Sequence, residues 1–157
     1  MIKVSVRDFL KTGELGPVRL GMSREQVQEL LGEPDDTGGN SRRHRVPTIW
    51  KYGDLELHFE QGGNRLTLIH ADDFDVLSGG EVLEIDAWIA HKGISLDQVE
   101  KELELAHIPY CRKDSLYGPD TIVLSIGANV QMTFTCDPAR RDSHASLVSL
   151  SCIAQDT

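Results

Sequence analysis

The stretch Gly21-Met22-Ser23-Arg24-Glu25-Gln26-Val27 returns as Gly93-Ile94-Ser95-Leu96-Asp97-Gln98-Val99. Gly, Ser, Gln and Val are identical at an offset of 72 residues (95 − 23 = 72). Each copy has the chemistry of a helix start. Ser23 and Ser95 are N-cap residues, and Gln26 and Gln98, three positions on, complete capping boxes in which side chain and backbone satisfy each other. Met22 with Val27, and Ile94 with Val99, are spaced as hydrophobic staples across the cap. Val27, Leu30 and Leu31 then supply the stripe of an amphipathic helix, which Gly32 ends and Pro34 keeps from resuming. The second helix is expected to run through Leu103 and Leu105 to Ile108, where Pro109 stops it.

Strand-like runs follow each helix, which points to a tandem duplication of one helix-plus-sheet unit. Thr48 to Glu60 reads as one strand region, with Leu55, Leu57 and Phe59 facing one way and Asp54, Glu56 and His58 the other. Gln61-Gly62-Gly63-Asn64 is a hairpin turn and Arg65 to His70 the returning strand. In the second copy, Thr121 to Ser125, a turn at Gly127, Asn129 to Thr135 and Ala145 to Ala154 repeat the pattern. Phe59 and Phe134 lie 75 apart (134 − 59 = 75), close to the helix offset. A short helix is expected at Val6 to Lys11. Asp35 to Pro47 and Tyr110 to Asp120 read as connections, Glu81 to His91 as a strand or a short helix around Trp88, and Asp137 to His144 as a charged loop. Residues 1–78 thus hold the first repeat with its lead-in and residues 79–157 the second. With no long linker between them, the two are expected to pack as one globular unit.

The chain has 157 residues, 39% of them hydrophobic, enough for a real core. No apolar run approaches the roughly 18 residues a membrane span needs, and the first ten residues lack a signal-peptide core, so a cytoplasmic protein with no membrane partner is expected. Cys111, Cys136 and Cys152 are odd in number and far apart, which favours free thiols in a reducing compartment over a zinc site. A net charge of −9 disfavours nucleic acid, whose phosphates need clustered Lys and Arg, and favours steering toward a basic protein. The oligomeric state is left open.

Chemistry motifs are sparse: no dinucleotide or phosphate-binding glycine loop, no His-Glu-x-x-His and no Gly-x-Ser-x-Gly occurs. Asp73, Asp75 and Glu84 match three positions of a calcium loop, but Leu77 and Ser78 stand where an oxygen ligand and a glycine are needed. No metal or cofactor is therefore expected. The run Arg42-Arg43-His44-Arg45 could clasp a phosphate or an acidic partner, against the stronger reading of a solvated loop. Trp50 and Tyr52 share strand parity with Asp54, Glu56 and His58. Two readings stand about equal: both rings anchor an interface on the exposed face, or Gly53 introduces a bulge that returns them to the core.

From Gly21 to Pro34, the pattern Gly-Met-Ser-x-x-Gln-Val-x-x-Leu-Leu-Gly-x-Pro resembles the SmpA/OmlA family of outer-membrane assembly lipoproteins. The repeat extends the likeness to the β-lactamase-inhibitory-protein-like family, whose members carry two tandem copies of a helix-then-sheet unit. The resemblance implies an α+β fold with a curved antiparallel sheet, helices on its outer face and a concave face that grips another protein. The chain departs from those exported relatives in showing no signal, no lipidation cysteine near its start and no evident set of their disulfides.

The leading expectation is a non-enzymatic protein-binding module, an inhibitor or immunity protein for a bacterial toxin or enzyme. Trp50 and Tyr52 would anchor the interface, ringed by Asp54, Glu56 and His58 and matched by Gln131 and Thr133 in the second repeat. The alternatives are a ligand-binding or enzymatic groove between the repeats using His58, His70 and Asp72, and a structural subunit of an assembly.

Overall fold

The computed structural model of the protein describes residues 1–113, 118–136 and 145–154. The charged loop expected at Asp137 to His144 lies outside them. Both helix starts form. Helix α2 (Arg24–Leu31) carries the complete capping box at Ser23, and α3 (Leu96–Leu105) begins at Ser95, whose hydroxyl accepts from Gln98 N–H. α3 ends earlier than expected, because His107 takes φ 55° and breaks the helical path before Pro109. The lead-in is a strand, β1 (Ile2–Ser5), followed by α1 (Val6–Thr12), capped by Ser5.

The strands after α2 are β2 (Asp36–Gly38), β3 (Ile49–Tyr52), β4 (Leu55–Phe59) and β5 (Leu66–Asp72). A separate strand, β6 (Leu83–Asp86), pairs in parallel with β1. After α3 come β7 (Tyr110–Lys113), β8 (Thr121–Ile126), β9 (Val130–Thr135) and β10 (Ser146–Ile153). Two expected connections therefore contain edge strands: β2 lies within Asp35 to Pro47 and β7 within Tyr110 to Asp120. Both are short, and their residues carry little hydrophobic alternation to announce them.

The main sheet has eight strands in the order β2-β3-β4-β5-β10-β9-β8-β7. Each half is a four-stranded antiparallel meander, and the two join through their last strands, β5 and β10, which pair antiparallel. The cap segments are tied in alike. Leu66 N–H donates to Met22 O at 2.8 Å in the first half, and Leu147 N–H donates to Ile94 O at 3.0 Å in the second. A register shift interrupts β4 against β5 at His58/Phe59 and β10 against β9 at Leu147/Ser149, and such bulges bend a strand.

One hydrophobic core serves both halves. Val6, Phe9 and Leu10 of α1, Val27 and Leu31 of α2, and Leu96, Val99 and Leu103 of α3 join Leu55, Leu57, Ile69, Leu124, Met132, Phe134 and Leu150 of the sheet. All three helices therefore bury their apolar stripes on one side of the sheet, where the hydrophobic effect drives them, and the polar strand positions fall on the other.

Candidate partner-binding face

The region Thr48 to Glu60 is a hairpin rather than one strand. Tyr52 pairs with Leu55 and Trp50 with Leu57 around a two-residue turn at Gly53-Asp54. Directly paired residues share a face, so the turn reverses the parity expected from unbroken alternation. Tyr52 is only 1% exposed, and its hydroxyl donates to Gly32 O at 2.9 Å. Trp50 is half-buried against the core, edge-on to Phe59 with ring centroids 4.9 Å apart. Both rings thus belong to the core side, which corrects their assignment to the exposed face. The cause is a turn rather than the bulge considered as the alternative.

Asp54 is also displaced from the strand face. It sits in the turn, where its carboxylate accepts from Ser78 N–H at 2.8 Å and its own N–H donates to Ser78 O at 2.9 Å. These bonds pin the connection between the halves onto the hairpin. Gly53 has φ 61°, and a Cβ there would meet Gly80 N at 2.3 Å, so only glycine fits.

Glu56, His58, Gln131 and Thr133 do share the open face. One row of cross-strand neighbours crosses the whole sheet: Asp36, Lys51, Glu56, His70, Ser151, Gln131, Ser125 and Cys111. A second row carries Asp72, Ser149, Thr133, Val123 and Lys113. Lys51, His70, Ser149 and Ser151 were absent from the expected binding set. Their signal was polar alternation, as in Leu147 to Cys152, once the strand parity is known.

At the centre, Lys51 Nζ lies 3.3 Å from Glu56 Oε1, and His58 Nε2 lies 2.9 Å from Glu56 Oε2. Partial burial pushes the Glu56 carboxyl up, but the hydrogen bonds from His58 and Lys51 outweigh it and hold the group below the usual carboxylate range. Across the seam between the halves, His70 Nδ1 is 2.7 Å from Ser151 Oγ, and His70 Nε2 is 3.4 Å from Asp72 Oδ2. The His58 and His70 rings meet edge to face at 6.3 Å. The structure thus gathers His58, His70 and Asp72, and adds Ser151 from β10.

Among the described residues, no group of three or more His, Cys, Asp or Glu is placed to hold a metal ion, and no helix is long and apolar enough to cross a membrane. Cys111, Cys136 and Cys152 are unpaired. Burial pushes the Cys152 thiol up to about 11, which leaves it inert at neutral pH. No protein-family model, no characterised protein and no solved structure matches the chain.

Proposed function

We propose that the protein is a non-enzymatic protein-binding module of the inhibitor or immunity type, and that it grips its partner with the open face of the eight-stranded sheet. The observation that carries this reading is the continuity of that face. All three helices bury their stripes on the opposite side, while half-exposed polar groups run unbroken from one half to the other. Gln131, Thr133, Glu56 and His58 are the contacts, with Lys51, His70 and Ser151 joining them in place of the two aromatics. The overall charge of −9 steers a basic partner toward the molecule; it sets the association rate more than the affinity.

The matched halves support a duplicated origin for the two units and a likeness to the tandem-repeat inhibitory family. The unpaired cysteines support a reducing, cytoplasmic setting. The test is affinity capture from the native host lysate at low and high salt, with the retained protein identified by mass spectrometry. One stoichiometric basic protein, released by salt, is expected. Retention of no protein at low salt counts against the module.

A second reading rests on the chain Ser151–His70–Asp72, which has the nucleophile–base–carboxylate order of a hydrolase. Its weakness is electrostatic. Ser151 and His70 lie on strands paired on both sides, so neighbouring backbone N–H groups are spent in the ladder and are not offered to an oxyanion. Turnover of an activated ester that vanishes in Ser151→Ala would favour this reading.

A further inference from the structure

Away from the open face, the first half carries a feature that sheet binding does not use. A cavity of about 370 Å³ is lined by Arg24, Arg43, His44 and Arg45 together with the hairpin turn Gln61 to Gly63. Four nitrogen-rich side chains converge there in a protein whose net charge is −9.

Arg24 builds the wall, and the donors of Arg43 and Arg45 are free. Arg24 is fixed: Nη1 donates to Gly63 O at 2.7 Å, Nη2 to Pro47 O at 3.3 Å, and the guanidinium lies over the Phe59 ring at 4.8 Å. Its Nε is buried without a hydrogen-bond partner, so the side chain stands as a fixed positive charge in the wall. The basic run is folded back by a tight turn in which Ser41 N–H donates to His44 O at 2.7 Å and His44 N–H to Ser41 Oγ at 3.1 Å. Among the described residues, no carboxylate pairs with Arg42, Arg43 or Arg45. The nearby acids are engaged elsewhere: Glu60 with Arg65 at 3.6 Å and Glu25 with Asn64 at 2.7 Å.

We infer that this cavity is an anion site for the phosphate group of a small phosphorylated molecule. The unpaired Arg43 and Arg45 guanidiniums, beside the fixed charge of Arg24, exceed what a single carboxylate needs and match a phosphate dianion, which the forked donors of Arg43 and Arg45 engage bidentately. The volume lies in the lower range for small-molecule sites. The acidic remainder of the surface opposes a polyanion, whose many phosphates would face repulsion beyond the pocket.

The test is titration calorimetry of the full chain with inorganic phosphate and with a nucleoside monophosphate at constant ionic strength. Amide chemical shifts locate the binding. Both probes should bind and compete, with shifts confined to residues 43–48 and 61–63. The double variant R43A/R45A, at two exposed positions, keeps the fold by circular dichroism and weakens both by at least about tenfold. The variant K11A/K101A removes the same charge at two exposed helix positions elsewhere and binds as the wild type does. Failure of both probes to bind, equal binding by R43A/R45A, equal loss in K11A/K101A, or shifts mapping elsewhere would each overturn the site.

Discussion

The two halves share one plan and fix it differently. Each sets a serine-capped helix against a four-stranded meander and ties the cap to its last strand. The first half adds a reciprocal capping box, a buried Tyr52 hydroxyl on the end of α2 and a two-residue turn locked onto the inter-half connection. The second half relies on the forward half of the box and on surface contacts at its edge strand. There the Tyr110 hydroxyl donates to Glu104 at 2.7 Å, and Arg112 pairs with Glu100. Exposed pairs of that kind contribute little. The common fixings make the fold, whereas the private ones lie where the halves meet other things. The β2–β3 connection of the first half carries the arginine cavity.

The largest expected effect comes from the matched phenylalanines. Phe59→Ala and Phe134→Ala should each cost about 3–5 kcal/mol, because each empties a core position. Denaturant unfolding should stay a single transition in both. Two separate transitions would break the picture of one shared core.

Gly53→Ala should follow at about 2–3 kcal/mol, from a left-handed backbone combined with a clash against Gly80 N. Gly62, with φ 73° and open space around it, isolates the backbone strain, and Gly62→Ala should cost about 1 kcal/mol. Thermal unfolding of the two variants measures the difference, and equal losses would remove the role given to the locked turn.

The caps sharpen the comparison further. Ser23→Ala loses a reciprocal box and should cost about 1–2 kcal/mol, while Ser95→Ala should cost about 0.5–1 kcal/mol.

The smallest effect is in the pH profile. Burial, then the charges of Glu33 and Asp35, push Tyr52 up to about 12, whereas the unfolded phenol ionises near 10. The unfolded chain therefore loses its proton first. The stabilisation is complete below pH 10 and is lost as pH rises toward 12. Tyr52→Phe should start about 1 kcal/mol lower, for the lost bond to Gly32 O, and should show a flatter alkaline decline in urea midpoints taken across that range.

Helix starts and the hairpins of the second half were legible because capping chemistry and alternation are local signals. Ser23, Ser95, Gly127 and the Val130–Phe134 alternation all stand where the sequence placed them. The turn at Gly53 was hidden inside an apparently continuous strand. Yet Gly127, at the β8–β9 turn, lies 74 residues on (127 − 53 = 74), close to the 72-residue offset between the two matched helix starts, and that spacing held the clue. Missing it reversed Trp50 and Tyr52, since parity errors propagate along a strand. Ser151 beside His70 was not legible, because their meeting depends on which strands join the two meanders.

The open face itself is tested most directly by placing one substitution on both sides of the molecule. Gln131→Arg puts a bulky cation on the open sheet face, and Gln28→Arg puts the same group, with the same change in charge, on the exposed side of α2. Affinities for the captured partner are then compared at a fixed salt concentration. If the open face is the binding surface, Gln131→Arg should weaken the complex at least about tenfold while Gln28→Arg leaves it near wild type. Equal affinities, or loss only with Gln28→Arg, would contradict it.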